Sequence, residues 1–202
     1  LIYNNSCLNF MDYKYINFGP FVYCGKIDSK TIEAVLTLCK KDKKHNANHQ
    51  LAGHLKNQFN IDSNKYINFI TPWIKQYVLE AEQFYNSQIA NSIKIKSAWV
   101  NFMKPGEFNP PHVHTQCHLS SVLFLKVPDL VKEKEKYKGT HHGPGTLEFL
   151  YGEERFLSNA HYCATPEKGD LYIFPANVRH FVSPFKTKGE RISVAANFTI
   201  EK

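Results

Sequence analysis

The chain has 202 residues, of which 43% are hydrophobic and 14% aromatic, with a formal net charge of +7 at pH 7. This size and apolar content fit one packed globular domain, so we predict a single domain over residues 1–202. No apolar run approaches the roughly 20 residues of a membrane helix, and the first residues lack a basic region followed by a long apolar one. Composition therefore gives no indication of a membrane-spanning or exported protein.

The cysteines and the placement of the charges indicate the cellular compartment and the kind of partner. The five cysteines are odd in number and lack C-x-x-C spacing, which predicts reduced thiols in a cytoplasmic compartment: Cys7, Cys24, Cys39, Cys117 and Cys163. The lysines of residues 40–44 cluster at an expected helix end, and those of residues 132–138 alternate with glutamates. This placement favours a solvated surface, and it makes a nucleic-acid partner the weaker alternative.

Residues 1–95 are predicted to form short strands and supporting helices. Residues 18–25 indicate strands bounded by Gly and Pro, and Asp28 or Ser29 caps a helix to about residue 43. A longer helix follows over about residues 63–91, with two helices meeting near Pro72 as the alternative. The intervening residues 44–62 lack periodicity, so their histidines predict no second metal site.

From residue 92 the pattern changes to strands separated by turn signals. Seven strands are predicted: residues 93–103, the strand of His112, and residues 119–127, 146–151, 170–175, 179–182 and 191–200. This number of short strands fits a jelly roll over residues 96–202, so the fold class is mainly β (α+β). Residues 128–145 indicate a loop that is too charged to be buried and that lies at the mouth of that barrel.

A His-x-His pair stands out behind a Pro- and Gly-rich bend. On an extended strand His112 and His114 share a face, while Val113 packs behind them, so both imidazoles converge on one metal ion. His180 opens a later strand and is the expected third ligand. His118 lies four residues beyond His114, so alternation would place it on the same face. It is the alternative ligand candidate and is expected at the rim of the substrate-binding opening.

The last strand supplies a second constellation. Alternation places Arg191, Ser193 and Asn197 on one face and the apolar residues between them on the other. A guanidinium beside a hydroxyl is suited to clamping a carboxylate. The chain therefore predicts an anion site near the metal site.

These motifs resemble those of the Fe(II)- and 2-oxoglutarate-dependent oxygenases, in the prolyl-hydroxylase-like branch found in marine phages and bacteria. The matched residues are His112-x-His114, residues 169–175, His180 and Arg191-x-Ser193. The resemblance implies a double-stranded β-helix that binds Fe(II) through the three histidines. It also implies that Arg191, helped by Ser193, pairs with the far carboxylate of 2-oxoglutarate, and that Asn101 contacts this cosubstrate.

The chain departs from the commoner family pattern at two places. His114 stands where most relatives have an acidic ligand, although the phage-type branch that the chain resembles has an H-x-H motif there. Met103 and Phe124 stand where relatives often place a tyrosine against the cosubstrate.

The resemblance implies hydroxylation of an amino-acid side chain in a peptide or protein, with O2 as oxidant and ascorbate as a supporting reductant. A small-molecule substrate stays open, and a viral origin would place the protein in the host cytoplasm. Two alternatives remain: a cupin-type dioxygenase without cosubstrate, which leaves Arg191 idle, and a barrel that binds a ligand without turnover. His141 and His142 are expected to be loop histidines without a catalytic role.

Overall fold

The computed structural model describes residues 19–136 and 143–201. The described part consists mostly of strands, with three helices and two short 3-10 turns. In chain order these are β1 (Tyr23–Lys26), α1 (Ser29–Leu36), the turns Lys43–His45 and Asn48–Gln50, β2 (Gln58–Asn60), α2 (Ser63–Tyr85), β3 (Ser92–Met103), β4 (Asn109–His112), β5 (Leu119–Lys126), α3 (Val131–Lys134), β6 (Leu147–Leu150), β7 (His161–Ala164), β8 (Asp170–Pro175), β9 (Arg179–Val182) and β10 (Arg191–Glu201).

The strands form two antiparallel sheets. The larger has the order β1-β8-β5-β10-β3-β2, and the smaller has the order β4-β9-β6-β7. Phe124 and Phe174 of the larger sheet belong to one buried cluster with Leu147 and Phe149 of the smaller. The sheets therefore pack face to face, as in a sandwich whose inner faces form the core.

The outer face of the larger sheet is covered by the helices. Ile32 and Val35 of α1 and Ile70 and Ile74 of α2 share a buried cluster with every second residue of the central strands, such as Val194. Apolar residues three and four apart put one stripe of each helix against the sheet. The helices therefore support the barrel from outside.

Helix α1 begins as predicted and ends earlier. The Asp28 side chain accepts a hydrogen bond from the Thr31 amide, so Asp28 is the N-cap. The helix ends at Leu36 and not near residue 43, because the Thr37, Leu38 and Cys39 amides each bond a carbonyl three residues back. Bonds of this kind tighten the last turn and end an α-helix.

Helix α2 runs without a break from Ser63 to Tyr85, so the alternative of two helices meeting at Pro72 is wrong. Proline removes one amide donor, and the Thr71 hydroxyl donates to the Ile67 carbonyl in the same turn. The helix ends at Asn86, whose φ of 48° is the left-handed conformation that closes many helices. Across residues 19–136 and 143–201, no helix combines the length and hydrophobicity needed to cross a membrane.

The predicted strands are all present, with ends shifted by one residue in some cases, and β1 falls within the expected short strands. One helix and two strands were not predicted: α3, β2 and β7. Glu133 of α3 is buried, because its carboxylate accepts hydrogen bonds from the Lys186 and Thr187 amides. The expectation that this charged loop stays unburied is therefore wrong at Glu133. His141 and His142 lie outside the described residues.

Candidate active site

Three histidines meet at one end of the sandwich. His112, the last residue of β4, is paired in register with His180 of β9. His114 lies beyond the strand, where its amide bonds the Ala176 carbonyl at 2.9 Å. One ring nitrogen from each of the three lies within 4.8 Å of the others. Val113 is 43% exposed and does not pack behind the pair, because β4 ends before it and the chain turns outward.

Backbone carbonyls orient two of these rings. The Nδ1 atoms of His112 and His180 lie 2.7 Å and 2.9 Å from the carbonyls of Pro110 and Val178, each two residues earlier. A ring that donates its Nδ1 proton to a carbonyl keeps the Nε2 lone pair free for a metal ion. The Nε2 atoms of His114 and His180 lie 3.2 Å apart, so both point toward one centre.

The electrostatics keep the rings neutral. Burial lowers the pKa of His112, and it lowers the pKa of His114 to about 4 and that of His180 to about 3. The proximity of His112 lowers both further, while a hydrogen bond with Asn197 acts in the opposite sense on His114. Neutral imidazole is the form that binds a divalent metal. Three such donors fit an Fe(II) ion by their chemistry.

Arg191 is a buried cation without a carboxylate partner in the described part of the chain. It is 3% exposed, and burial lowers its pKa to about 10 with no charged neighbour opposing that shift. One guanidinium nitrogen donates to the Gly145 carbonyl at 2.9 Å, while Nε has no partner. A buried charge is costly unless paired, so this position is suited to an anion.

A polar row runs beside Arg191 across the larger sheet. Ser193 of β10 pairs in register with Asn101 of β3, which pairs with Gln58 of β2. All three are buried, and Gln58 Nε2 donates to Asn101 Oδ1 at 2.8 Å. Alternation along the strands sends these side chains between the sheets. The sequence predicted this facing for Ser193 and Arg191.

These groups line a single cavity of about 300 Å³. Its described lining includes the three histidines, Arg191, Ser193 and Asn101. Trp99 stacks on His114 with ring centroids 5.7 Å apart, and Phe124 lies 5.4 Å from the Arg191 guanidinium carbon. Phe124 therefore contributes an apolar wall at the position where a tyrosine would add a hydroxyl.

Other candidate histidines stay outside this cluster. His118 Nδ1 accepts a hydrogen bond from the Ile200 amide at 2.8 Å, so the ring caps the end of β10 and lies off the cavity rim. His54 stacks on Phe108 with ring centroids 4.7 Å apart, and His45 lies next to Asp42. Within residues 19–136 and 143–201, the only cluster of three or more potential metal ligands is that of His112, His114 and His180.

Two lining residues were not predicted from the sequence: Gln58 and Trp99. Gln58 lies in a segment without periodicity, so no pattern marked its facing. Trp99 lies two residues before Asn101, and the alternation that places Asn101 on the inner face also places Trp99 there. The facing of Trp99 therefore follows from the sequence.

The fold is similar to those of solved oxygenases at low sequence identity. A viral collagen prolyl hydroxylase from Paramecium Bursaria Chlorella virus-1, in complex with 2OG, matches with a TM-score of 0.58 and 13% identity, covering 89% of this chain and 96% of that chain. A prolyl-4-hydroxylase from Pseudomonas putida matches with a TM-score of 0.53 and 16% identity, covering 90% and 93%. These similarities confirm the jelly-roll fold.

A third similar structure is the non-haem α-ketoglutarate-dependent epimerase SnoN of nogalamycin biosynthesis. It has a TM-score of 0.54 and 13% identity, covering 89% of this chain and 78% of that chain. No curated protein sequence matches the chain significantly.

The sequence itself carries a family match. Residues 97–197 match the model of the family described as "Putative 2OG-Fe(II) oxygenase". This segment is half of the chain and contains the three histidines, Arg191, Ser193 and Asn101. The chain therefore belongs to the 2OG-Fe(II) oxygenase family and is an Fe(II)- and 2-oxoglutarate-dependent oxygenase.

Proposed function

We propose that His112, His114 and His180 hold the Fe(II) ion, while Arg191, Ser193 and Asn101 hold 2-oxoglutarate beside it. The observation that carries this assignment is Arg191. It is a buried cation with an unpartnered Nε, and it lines the same cavity as three neutral imidazoles. A dianion held by Arg191 beside the three histidines would give the guanidinium the anionic partner that it lacks.

The protein's own part in the reaction is binding and exclusion of water. Iron and 2-oxoglutarate, when bound, supply the oxidation of a C–H bond by O2, and the cosubstrate ends as succinate and CO2. Backbone carbonyls fix two ligand rings before the metal arrives, which lowers the entropic cost of assembling the site. Phe124 and Trp99 cover the cavity with apolar surface, which strengthens the charge pair inside it.

We propose that the substrate is an amino-acid side chain of a peptide or protein, with proline as the first residue to test. Two of the similar solved structures are prolyl hydroxylases by name, and their folds cover about nine tenths of this chain. The hydroxylation would add one oxygen atom to the side chain. A small-molecule substrate is the second candidate, since the SnoN epimerase shares the fold.

The unpaired Arg191 also weighs against a cupin-type dioxygenase that uses no cosubstrate. Such an enzyme would use the three histidines and leave a buried guanidinium without purpose. Removing that charge would then cost no activity, whereas the proposal requires it.

Succinate formation tests the proposal. The purified protein with Fe(II), ascorbate and O2 should convert 2-oxoglutarate to succinate slowly without substrate, and faster with a prolyl peptide that gains one oxygen atom by mass spectrometry. The matched control is Arg191→Met, which should retain iron and lose this turnover. If succinate stays at the level of a metal-free sample although iron is bound, the assignment fails.

A further inference from the structure

The cavity that contains the three histidines and Arg191 also has two carboxamides in its wall whose oxygens are buried and unpartnered. Gln58 is 1% exposed, and its Oε1 has no hydrogen-bond partner. Asn109 belongs to β4 of the facing sheet, and its buried Oδ1 has none either. Both residues line the cavity of the three histidines.

The two carboxamides are neighbours. Both lie close to Gly53, where a Cβ atom would lie 2.3 Å from Asn109 Oδ1 and 3.1 Å from Gln58 Nε2. Any side chain at residue 53 would therefore push into both of them. The chain brings bare backbone to this point, and the two oxygens stay buried and unpaired in the cavity wall.

These acceptors need a donor that the cosubstrate does not have. An unpartnered buried carbonyl oxygen is destabilising, so a ligand that donates a hydrogen bond to it gains affinity. The 2-oxoglutarate dianion carries only acceptor oxygens, and these pair with Arg191 in the proposed function. The donor must therefore belong to the second ligand, which is the substrate.

The charge of the lining limits what kind of donor this is. None of the described residues that line the cavity is acidic. An ammonium group entering it would be buried without a counterion, which is strongly unfavourable. A neutral N–H group carries no such cost. Gln58 already donates through Nε2 to Asn101, which holds its carboxamide plane in place.

We infer that Gln58 and Asn109 bind a neutral amide N–H of the substrate, so the enzyme acts on an amide-flanked residue and discriminates against a free amino acid. This inference rests on the proposed function, and it names the recognition element within that site. Both residues are specificity determinants and take no part in the oxidation.

Two matched probes test the inference by calorimetry on the Fe(II) and 2-oxoglutarate complex under nitrogen. N-acetyl-L-prolinamide offers an amide N–H, and N-acetyl-L-proline methyl ester differs by lacking it. The wild-type protein should bind the amide about tenfold more tightly than the ester, as one hydrogen bond allows. Free L-proline should bind more weakly than the amide.

The variants locate that preference. Gln58→Met and Asn109→Leu remove an acceptor and should abolish the difference between amide and ester. The ester should bind both variants as it binds the wild type, which guards against a folding defect. Gln50→Met is the control, since Gln50 lines the same cavity from an exposed position.

Several outcomes overturn the inference: equal affinity for amide and ester, no binding of the amide, or a preference that survives in both Gln58→Met and Asn109→Leu. Tighter binding of adenosine than of the amide would also overturn it, because a carboxamide can read adenine through two hydrogen bonds. Succinate formation by the wild-type protein separates the two proposals. If succinate forms and the preference is absent, only this inference fails.

Discussion

Strand β10 presents alternate residues to two different environments. Val194, Ala196 and Phe198 face the helices within a closed apolar cluster, and all three are completely buried. Arg191, Ser193 and Asn197 face the other sheet and line the cavity. Burial on the helix side stabilises the fold, whereas on the cavity side it keeps polar groups dry and ready for a ligand. The comparison predicts that substitutions on the two faces of one strand have opposite consequences.

The largest effect is expected on the helix side. Phe198→Ala should lower the free energy of unfolding by about 3–5 kcal/mol, because it removes a fully buried ring and leaves a cavity. Denaturant unfolding monitored by circular dichroism measures this loss. Thr199→Ala, on the neighbouring residue, is the control and should change stability by less than about 0.5 kcal/mol. Equal stabilities for Phe198→Ala and the wild type would refute the assignment of this face to the core.

The cavity side should behave in the reverse way. Arg191→Ala should weaken 2-oxoglutarate binding by about 2–5 kcal/mol, since the pair is buried, and Arg191→Lys should restore only part of it because lysine lacks the bidentate fork. The free energy of unfolding without ligand should stay the same or rise, because an unpaired buried charge is removed. Calorimetry gives the affinity and denaturant unfolding the stability. A marked loss of stability with unchanged affinity would make Arg191 a structural residue.

A third prediction compares the iron affinity of variants at His114 and His118, two histidines four residues apart. His114→Ala should lower iron affinity by more than about 100-fold, beyond what changes around a ligand cost. His118→Ala should leave it unchanged, since that ring caps β10. His114→Asp should restore a metal site with measurable succinate formation, since carboxylate is the commoner ligand there. Competition with a chelator measures all three, and the reverse ranking of the two alanine variants would exclude the ligand set.

The smallest expected effect is on stability and concerns Glu148, a buried carboxylate whose hydrogen-bond partners belong to the protein itself. Burial alone would raise the pKa of Glu148, but hydrogen bonds from Ser183, Thr146 and His161 outweigh it and hold the pKa below its usual 4.5. A depressed carboxyl pKa adds stability at neutral pH, and this stability is lost as the pH falls from about 4.5 through the lower folded value.

Glu148→Gln should therefore cost about 1 kcal/mol at pH 7 and flatten the dependence of stability on pH in that acid range. Unfolding free energies at a series of pH values test this. A slope that is the same in Glu148→Gln and the wild type would remove Glu148 from the account. Unlike Arg191, Glu148 has its partners already and leaves nothing for a ligand.

Strand alternation made much of the site predictable. It placed Arg191 and Ser193 on one face, because facing depends only on local parity. The meeting of His112 with His180 depends instead on the pairing of two distant strands. Gln58 was beyond this reasoning, since β2 has three residues in a segment without periodicity. Its facing is fixed by pairing with β3, a contact between residues 43 positions apart.

Helix ends and surface strands were less predictable for related reasons. The end of α1 depends on a switch of hydrogen-bond partners after Leu36, which no residue type announces. Strand β7 alternates little in hydrophobicity, because it lies at the edge of the smaller sheet and Tyr162 is 51% exposed. Pairing with β6 and not its own sequence makes it a strand.

The central claim is that the cavity binds 2-oxoglutarate between the three histidines and Arg191, and anaerobic titration of the iron-loaded protein tests it most directly. Addition of 2-oxoglutarate should produce a saturable visible charge-transfer band in the wild type. Arg191→Ala should need a much higher concentration to reach the same band. Absence of the band in wild-type protein that demonstrably holds iron, or identical titrations for both proteins, would contradict the account.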